Sequence, residues 1–357
     1  MGYTTINDPS AYFQTLLYTG NGGASRALTN TGNSDLQPDW LWIKKRNASR
    51  SHTLTDSSRG LTKYNEADDN GAEGTFTDKV LSVQSDGFTV GDNSSGNANN
   101  DTYVAWQWKA NSGTTTTNDA SSTSVGSIDS VYQANTTAGL SIVTWTGTGS
   151  AATIAHGLGA TPQVIILKSR DNAHDWFFAH NSMHSTPWEK YLRLHENGGI
   201  ADDTIWNDTA PTSTVFSVGS YDSTNGNNVK LFAYCFAEKQ GYSKFGKYVG
   251  NGNADGPFIY TGFKPAFFII KKSDSSEDWI MFDNTRFPIN DGNIPILFPN
   301  LSGAEGEDSS VAGDFLSNGL KIRATQNMIN ADDATYVYMA FAESPFVSSE
   351  GVPTTAR

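Results

Sequence analysis

Three histidines, His174, His180 and His184, fall close together in the 357-residue chain, and clustered imidazoles are the first place to look for a metal. Zinc sites pair histidines or cysteines at fixed short spacings; these three stand six and four apart, and no Cys-x-x-Cys accompanies them. The single cysteine, Cys235, sits in an apolar run, so a buried thiol is expected and no intrachain disulfide can form. Carboxylates gather at Glu66-Ala67-Asp68-Asp69, Asp202-Asp203, Glu305-Gly306-Glu307-Asp308 and Asp332-Asp333, without the Asp-x-Asp-x-Asp-Gly spacing of a calcium loop. Two of them would serve a glycosidase only at a defined separation, which no spacing here enforces. Nucleophile and phosphate-cradling motifs are absent. The expectation is a protein that is not an enzyme, with no catalytic, cofactor-binding or metal residues.

Tryptophan offers a different chemistry, since its face stacks on sugars and fills interfaces. Trp145, Trp176, Trp188, Trp206 and Trp279 fall at or near predicted loops. Trp176 and Trp279 recur in step with His52, which marks one repeated core position. His180 likewise recurs with Asp56 and Asp283, whereas His156 has no counterpart. Trp188 and Trp206 belong to no recurring position and are the candidate ligand or interface residues.

These residues hang on a pattern that occurs three times. An aromatic precedes a glycine turn at Tyr18-Thr19-Gly20-Asn21-Gly22, Trp145-Thr146-Gly147-Thr148-Gly149 and Tyr248-Val249-Gly250-Asn251-Gly252. A proline then opens an apolar run ending in lysine: Pro38 to Lys44, Pro162 to Lys168, Pro265 to Lys271. Short strands follow around Phe88, Phe216 and Leu320, and aromatic runs close each set at Tyr103–Trp108, Leu231–Phe236 and Tyr336–Phe341. The four landmarks keep step from copy to copy, which chance apolar runs would not do. The reading is all-β: three tandem homologous β-sandwich-like domains with a short N-terminal helix, capped by Asp8 and opened by Pro9. The boundaries are 1–110, 140–240 and 241–345, with a Thr/Ser/Gly-rich linker at 111–139, extended or mobile, and a tail at 346–357. The short join at Lys239–Lys244 predicts that copies two and three dock rigidly while copy one is tethered.

The proline-to-lysine runs are apolar at successive positions, as in strands covered on both faces. In the closing run of copy three, Tyr336, Tyr338 and Ala340 alternate with Val337, Met339 and Phe341, so one set can pack inward and the other against a neighbouring domain. Asn70-Gly71, Asp86-Gly87, Asn225-Gly226, Asp255-Gly256, Asp291-Gly292 and Asn318-Gly319 mark turns.

A net charge of −13 disfavours nucleic acid, which needs clustered Lys and Arg. The 12% aromatic content argues for a packed core rather than disorder. No apolar run is long enough to insert in a membrane and no leader pattern opens the chain, which predicts a soluble protein assembled in a cytoplasm-like compartment.

Several stretches resemble a repeated family of unknown function in virion and tail proteins of marine, cyanophage-like bacteriophages. They are Asp8–Thr15, Ser51–Gly60, Ile154–Gly159, Trp206–Pro211, Phe315–Gly319 and Tyr338–Pro345. The resemblance implies a non-enzymatic virion structural protein assembled in the host bacterial cytoplasm, most directly a tail fibre or tail-associated appendage. Its implied partners are other tail or capsid proteins and a host surface glycan, with a homo-oligomer, a trimer by preference. A capsid decoration protein and a carbohydrate-binding receptor-recognition module are the alternatives. The resemblance carries over no site residues.

Overall fold

The computed structural model describes residues 2–288, 290, 294–307 and 311–354. Asp291-Gly292 and Asp308 of the sequence reading lie outside them. The chain is almost entirely antiparallel sheet, opened by a 3-10 turn at Pro9–Ala11 whose N-cap is Asp8, accepting from the Ser10 amide.

In the first third, strands run as β1 (Phe13–Thr19), β2 (Arg26–Leu28), β3 (Trp40–Lys45), β4 (Thr53–Asp56), β5 (Lys63–Glu66), β6 (Gly74–Thr75), β7 (Val80–Gln84), β8 (Gly87–Val90) and β9 (Thr102–Trp108). They form a six-stranded sheet, β1-β9-β3-β4-β5-β6, and a three-stranded sheet, β2-β8-β7. The second third holds β10 (Thr116–Asn118), β11 (Ser130–Asn135), β12 (Leu140–Thr146), β13 (Ala152–Ala155), β14 (Val164–Ser169), β15 (Phe177–His180), β16 (Lys190–Arg193), β17 (Ala201–Asp202), β18 (Val215–Val218) and β19 (Lys230–Phe236). Here the large sheet is β10-β11-β12-β19-β14-β15-β16-β17 and the small one β13-β18. The last third has β20 (Ser243–Val249), β21 (Phe258–Tyr260), β22 (Phe263–Lys272), β23 (Ile280–Asp283), β24 (Pro295–Ile296), β25 (Gly306–Glu307), β26 (Gly313–Leu316), β27 (Gly319–Ile322) and β28 (Thr335–Pro345). Its sheets are β20-β28-β22-β23, β21-β27-β26 and the pair β24-β25.

The expected proline-to-lysine strands are β3, β14 and the body of β22, and every residue of β3 and β14 is buried. Their alternation explains this. Leu41 and Ile43, Ile165 and Leu167, and Phe268 and Ile270 point into three separate interiors, each between a large and a small sheet. The intervening residues, Trp40 and Trp42, Val164 and Ile166, and Phe267 and Ile269, all enter a fourth cluster shared by the three large sheets. The closing strands divide in the same way, with Trp106 and Trp108, Tyr234 and Phe236, and Met339 and Phe341 at the shared centre. Rings interlock there across the thirds: Trp40 stacks on Trp108 and on Tyr234, both at 4.3 Å, and Phe13 stacks on Phe341 at 5.4 Å.

One expectation is corrected and one pair of alternatives decided. The first third is not tethered apart, because its four tryptophans pack against both other sheets. Residues 111–139 take the extended alternative: β10 and β11 join the large sheet of the second third, and Asp39 accepts the amides of Ser112 and Gly113.

The glycine turns have a shared physical cause. A Cβ on Gly20, Gly147 or Gly250 would come within 2.0, 2.2 or 2.1 Å of a backbone oxygen, and Gly22, Gly149 and Gly252 adopt φ of +65°, +74° and +62°. A buried asparagine clasps each turn. Asn97 and Asn330 each accept a turn amide, that of Asn21 or Asn251, and Asn225 donates to Thr148 Oγ1 and the Ser150 carbonyl.

Burial of one face of all three large sheets in one cluster predicts a single cooperative unfolding event. Scanning calorimetry should show one transition with equal calorimetric and van't Hoff enthalpies, and resolved transitions for separate thirds would contradict the shared centre.

Candidate functional site

Of the titratable side chains that sequence inspection singled out, His52, His180, Asp56, Asp283 and Glu305 lie at contacts between thirds. His180 is buried, its Nε2–H directed at the Tyr338 carbonyl at 3.1 Å while Nδ1 accepts the Ser182 amide at 3.1 Å. Both ring nitrogens are thus committed to the neutral form, and burial holds its pKa down at about 4. His156 is held in the same manner, accepting the Leu158 amide and facing the Thr212 carbonyl, also at about 4 through burial. His184 is exposed and contacts Thr186. The structure therefore does not assemble His174, His180 and His184.

His52, Trp176 and Trp279 occupy equivalent places, each facing the preceding or following third. Trp176 Nε1 donates to the Glu66 carbonyl at 2.9 Å, and Trp279 Nε1 donates to the Arg193 carbonyl at 2.9 Å. His52 accepts from Trp42 Nε1 at 2.9 Å and has the Phe298 carbonyl beside it. Burial pushes its pKa well below the usual histidine range.

Asp56, His180 and Asp283 form a second equivalent set, opposite Trp40, Val164 and Phe267 in their ladders. Tyr234 OH donates to Asp56 at 2.9 Å and Trp106 Nε1 donates to Asp283 at 3.0 Å, each bond crossing between thirds. Arg59 and Arg286, three residues on, pair with those carboxylates at 2.6 Å in full burial. Glu73 then bridges Arg59 to Arg170, and Glu305 bridges Arg286 to Arg46. Burial alone would raise the Glu305 carboxyl, but its two arginines hold it below the ordinary range. At the third junction Met183 stands where the other two have arginine, Ile200 packs on the shared cluster, and Ser273 replaces the outer arginine. The backbone bond survives everywhere: Glu73 to Arg170, Glu305 to Arg46 and Ile200 to Ser273, at 2.7, 2.7 and 2.8 Å. Sequence inspection missed these locks, although the shared Asp-x-x-Arg spacing of 56–59 and 283–286 was the available signal.

The lysines that end the three apolar runs are fully buried. Lys44 donates to the carbonyls of Lys45 and Ser302, Lys168 to those of Asn70 and Ser169, and Lys271 to those of Lys272 and Ser275. Burial lowers all three to about 8. With their amines enclosed and spent on carbonyls, the shift reflects the cost of burial and not a poised nucleophile.

Trp206, a candidate surface residue, is completely buried, its indole N–H donating to the Lys190 carbonyl at 3.1 Å. Trp188 is half-buried and meets it edge-on at 6.1 Å. Only Trp188 of the pair keeps a face near solvent. The aromatics that are exposed, Tyr221, Phe258 and Tyr260, went unremarked in the sequence. Phe258 and Tyr260 alternate with buried Ile259 on the outer strand β21.

Among the described residues, Asp175, His195 and Glu196 bring possible ligand atoms within 4.8 Å of one another. The Arg193 guanidinium already pairs with Asp175 at 2.5 Å and Glu196 at 3.7 Å, and His195 and Arg193 together draw the Asp175 carboxyl down to about 2. Arg193 thus already pairs with both carboxylates, while His195 Nε2 lies 3.4 Å from Asp175 without a hydrogen bond. A groove of about 1050 Å³ opens elsewhere, between β1 and the β22–β23 and β28 strands, walled by Phe13, Phe287 and Phe315.

A protein family described as a domain of unknown function, DUF7483, matches residues 8–345. The chain belongs to that family. The match runs unbroken through all three thirds and the 111–139 stretch, the span that the shared cluster binds together. No curated protein matches the chain. No helix among the described residues is long and apolar enough to cross a membrane.

Two outcomes follow from the locks. Arg59→Met leaves Asp56 buried without its cation and should cost about 3–5 kcal/mol. Adding Asp56→His, which copies the His180/Met183 arrangement, should recover part of that loss in urea unfolding. The buried lysines set a pH dependence. Their unfolded pKa is about 10.4, so between about pH 8 and 10 the unfolded chain binds more protons and stability rises with pH. Thermal melts should show that rise, reduced in Lys168→Met.

Proposed function

We propose that this DUF7483 protein is a non-enzymatic structural component of a bacteriophage particle, a tail fibre part or tail-associated appendage that works through protein–protein contacts. The observation that carries the reading is where the chemistry goes. The buried carboxylates, guanidiniums and neutral histidines are spent on joining three sheets into one body. Such a body, with its charged groups internally satisfied and its turns short, suits a particle part that must keep its shape outside a cell.

The recurrence of the same ladders, glycine turns and buried lysines supports the view that three copies of one sandwich-like unit make up the chain. The likeness to marine bacteriophage virion proteins supplies the particle context. Other virion proteins are the partners this reading names, with a homotrimer the favoured assembly. A host glycan remains a second kind of partner, for which Trp188 is the residue to test.

Capsid decoration is the reading with the next best support, because the open groove beside β1 fits an extended arm of a shell subunit. Copy number separates the two. Quantitative mass spectrometry of purified particles should give roughly tens of copies or fewer for a tail part and hundreds for a shell protein. Absence of the protein from purified particles would overturn both.

A further inference from the structure

The first strands of the three large sheets, β1, β12 and β20, occupy equivalent places but differ in what lies along their outer edges. Phe13, Leu140 and Ser243 begin runs that pair with β9, β19 and β28, so Thr15, Ile142 and Phe245 correspond through their partners Trp106, Tyr234 and Met339. Beside β12 lies β11, antiparallel, with Gln133 opposite Ile142. The Gln133 amide reaches across to Ser57 and Ser58 of the first third, donating to both hydroxyls at 2.9 Å. The Tyr132 ring occupies the space over Gly157. Beside β20 no strand is added, but the Glu238 carboxylate accepts the Phe245 amide at 3.1 Å and caps the edge.

Beside β1 there is neither among the described residues. This strand has β9 on one side and no described strand on the other. Glu343, which stands where Glu238 does, is turned away to Lys264 and Asn284. Thr15 Oγ1 is enclosed without a hydrogen-bond partner. The groove walls repeat the surroundings of β11: Thr31 stands at the position of Gly157, and Asn284 and Thr285 at those of Ser57 and Ser58. The site is therefore the counterpart of one that this chain fills with a strand of its own.

We infer that the groove between β1 and the last third accepts an extended segment of a partner polypeptide, which adds antiparallel to β1 as β11 adds to β12. Backbone hydrogen bonds to the open edge hold it, and alternate side chains reach opposite walls. A residue opposite Thr15 with an amide side chain meets Asn284 and Thr285, and an aromatic or apolar neighbour lies over Thr31. The inference rests on this geometry and does not depend on the particle assignment.

The probe is a synthetic peptide with the sequence of residues 128–137, the β11 strand and its flanks, titrated by fluorescence anisotropy against the intact protein. Binding should be saturable and should protect the amides of Thr15 and Leu17, which face the open edge, from hydrogen exchange. N-methylation of alternate peptide amides, or Thr31→Trp or Thr285→Trp in the protein, should each weaken it by about tenfold or more. The methylated peptide keeps the test valid with unaltered protein if either variant misfolds. No saturable binding, binding indifferent to N-methylation, or protection of β12 or β20 in place of β1 would overturn the inference.

Discussion

Packing of three sheets face to face around one aromatic cluster is the constraint on which the other features depend. Each large sheet has two apolar faces, one covered by its small sheet and one covered only by the other two thirds. Burial of large aromatic side chains contributes roughly 1.5–3 kcal/mol apiece. A third standing alone would leave such a face in water, so the geometry of the centre dictates where every strand of β3, β9, β14, β19, β22 and β28 must lie.

Most polar groups near that centre are tolerated because they are matched. Two junctions use a fully buried carboxylate–guanidinium pair extended by a bridging glutamate, and the third uses a neutral histidine with methionine and isoleucine. Buried ion pairs are often no more stabilising than apolar residues of similar volume, which explains how one fold can hold both solutions. Unequal locks have a further effect: a strand from one third that entered the wrong junction would bury an unpaired charge. Not everything is matched, however. The buried indole N–H groups of Trp40 and Trp108 have no acceptor among the described residues.

Much of the fold was legible because β-period and turn chemistry are local. The all-β class, the three doubly buried strands and the Asp8 cap came from residues adjacent in sequence. The alternation of Val337, Met339 and Phe341 with Tyr336, Tyr338 and Ala340 even implied a second covered face. What escaped was long-range. Arg59 meets Tyr234, and Trp106 meets Asp283, across well over a hundred residues, and no spacing rule reports such pairs. At 111–139 composition gave the extended linker but not the backbone ladders that make part of it strand. It misled at Trp206, whose surroundings of Asn, Asp and Thr hid a core side chain.

The shared centre also bears on biosynthesis. When the first third has left the ribosome, Trp40, Trp42, Trp106 and Trp108 have only one another to pack on, and their full cover waits until the closing strand near residue 341 emerges. At about 5–20 residues per second that interval is roughly ten to fifty seconds. For that time a nascent chain displays an indole-rich surface to the crowded cell interior, so translation speed and chaperone capture bear on its yield.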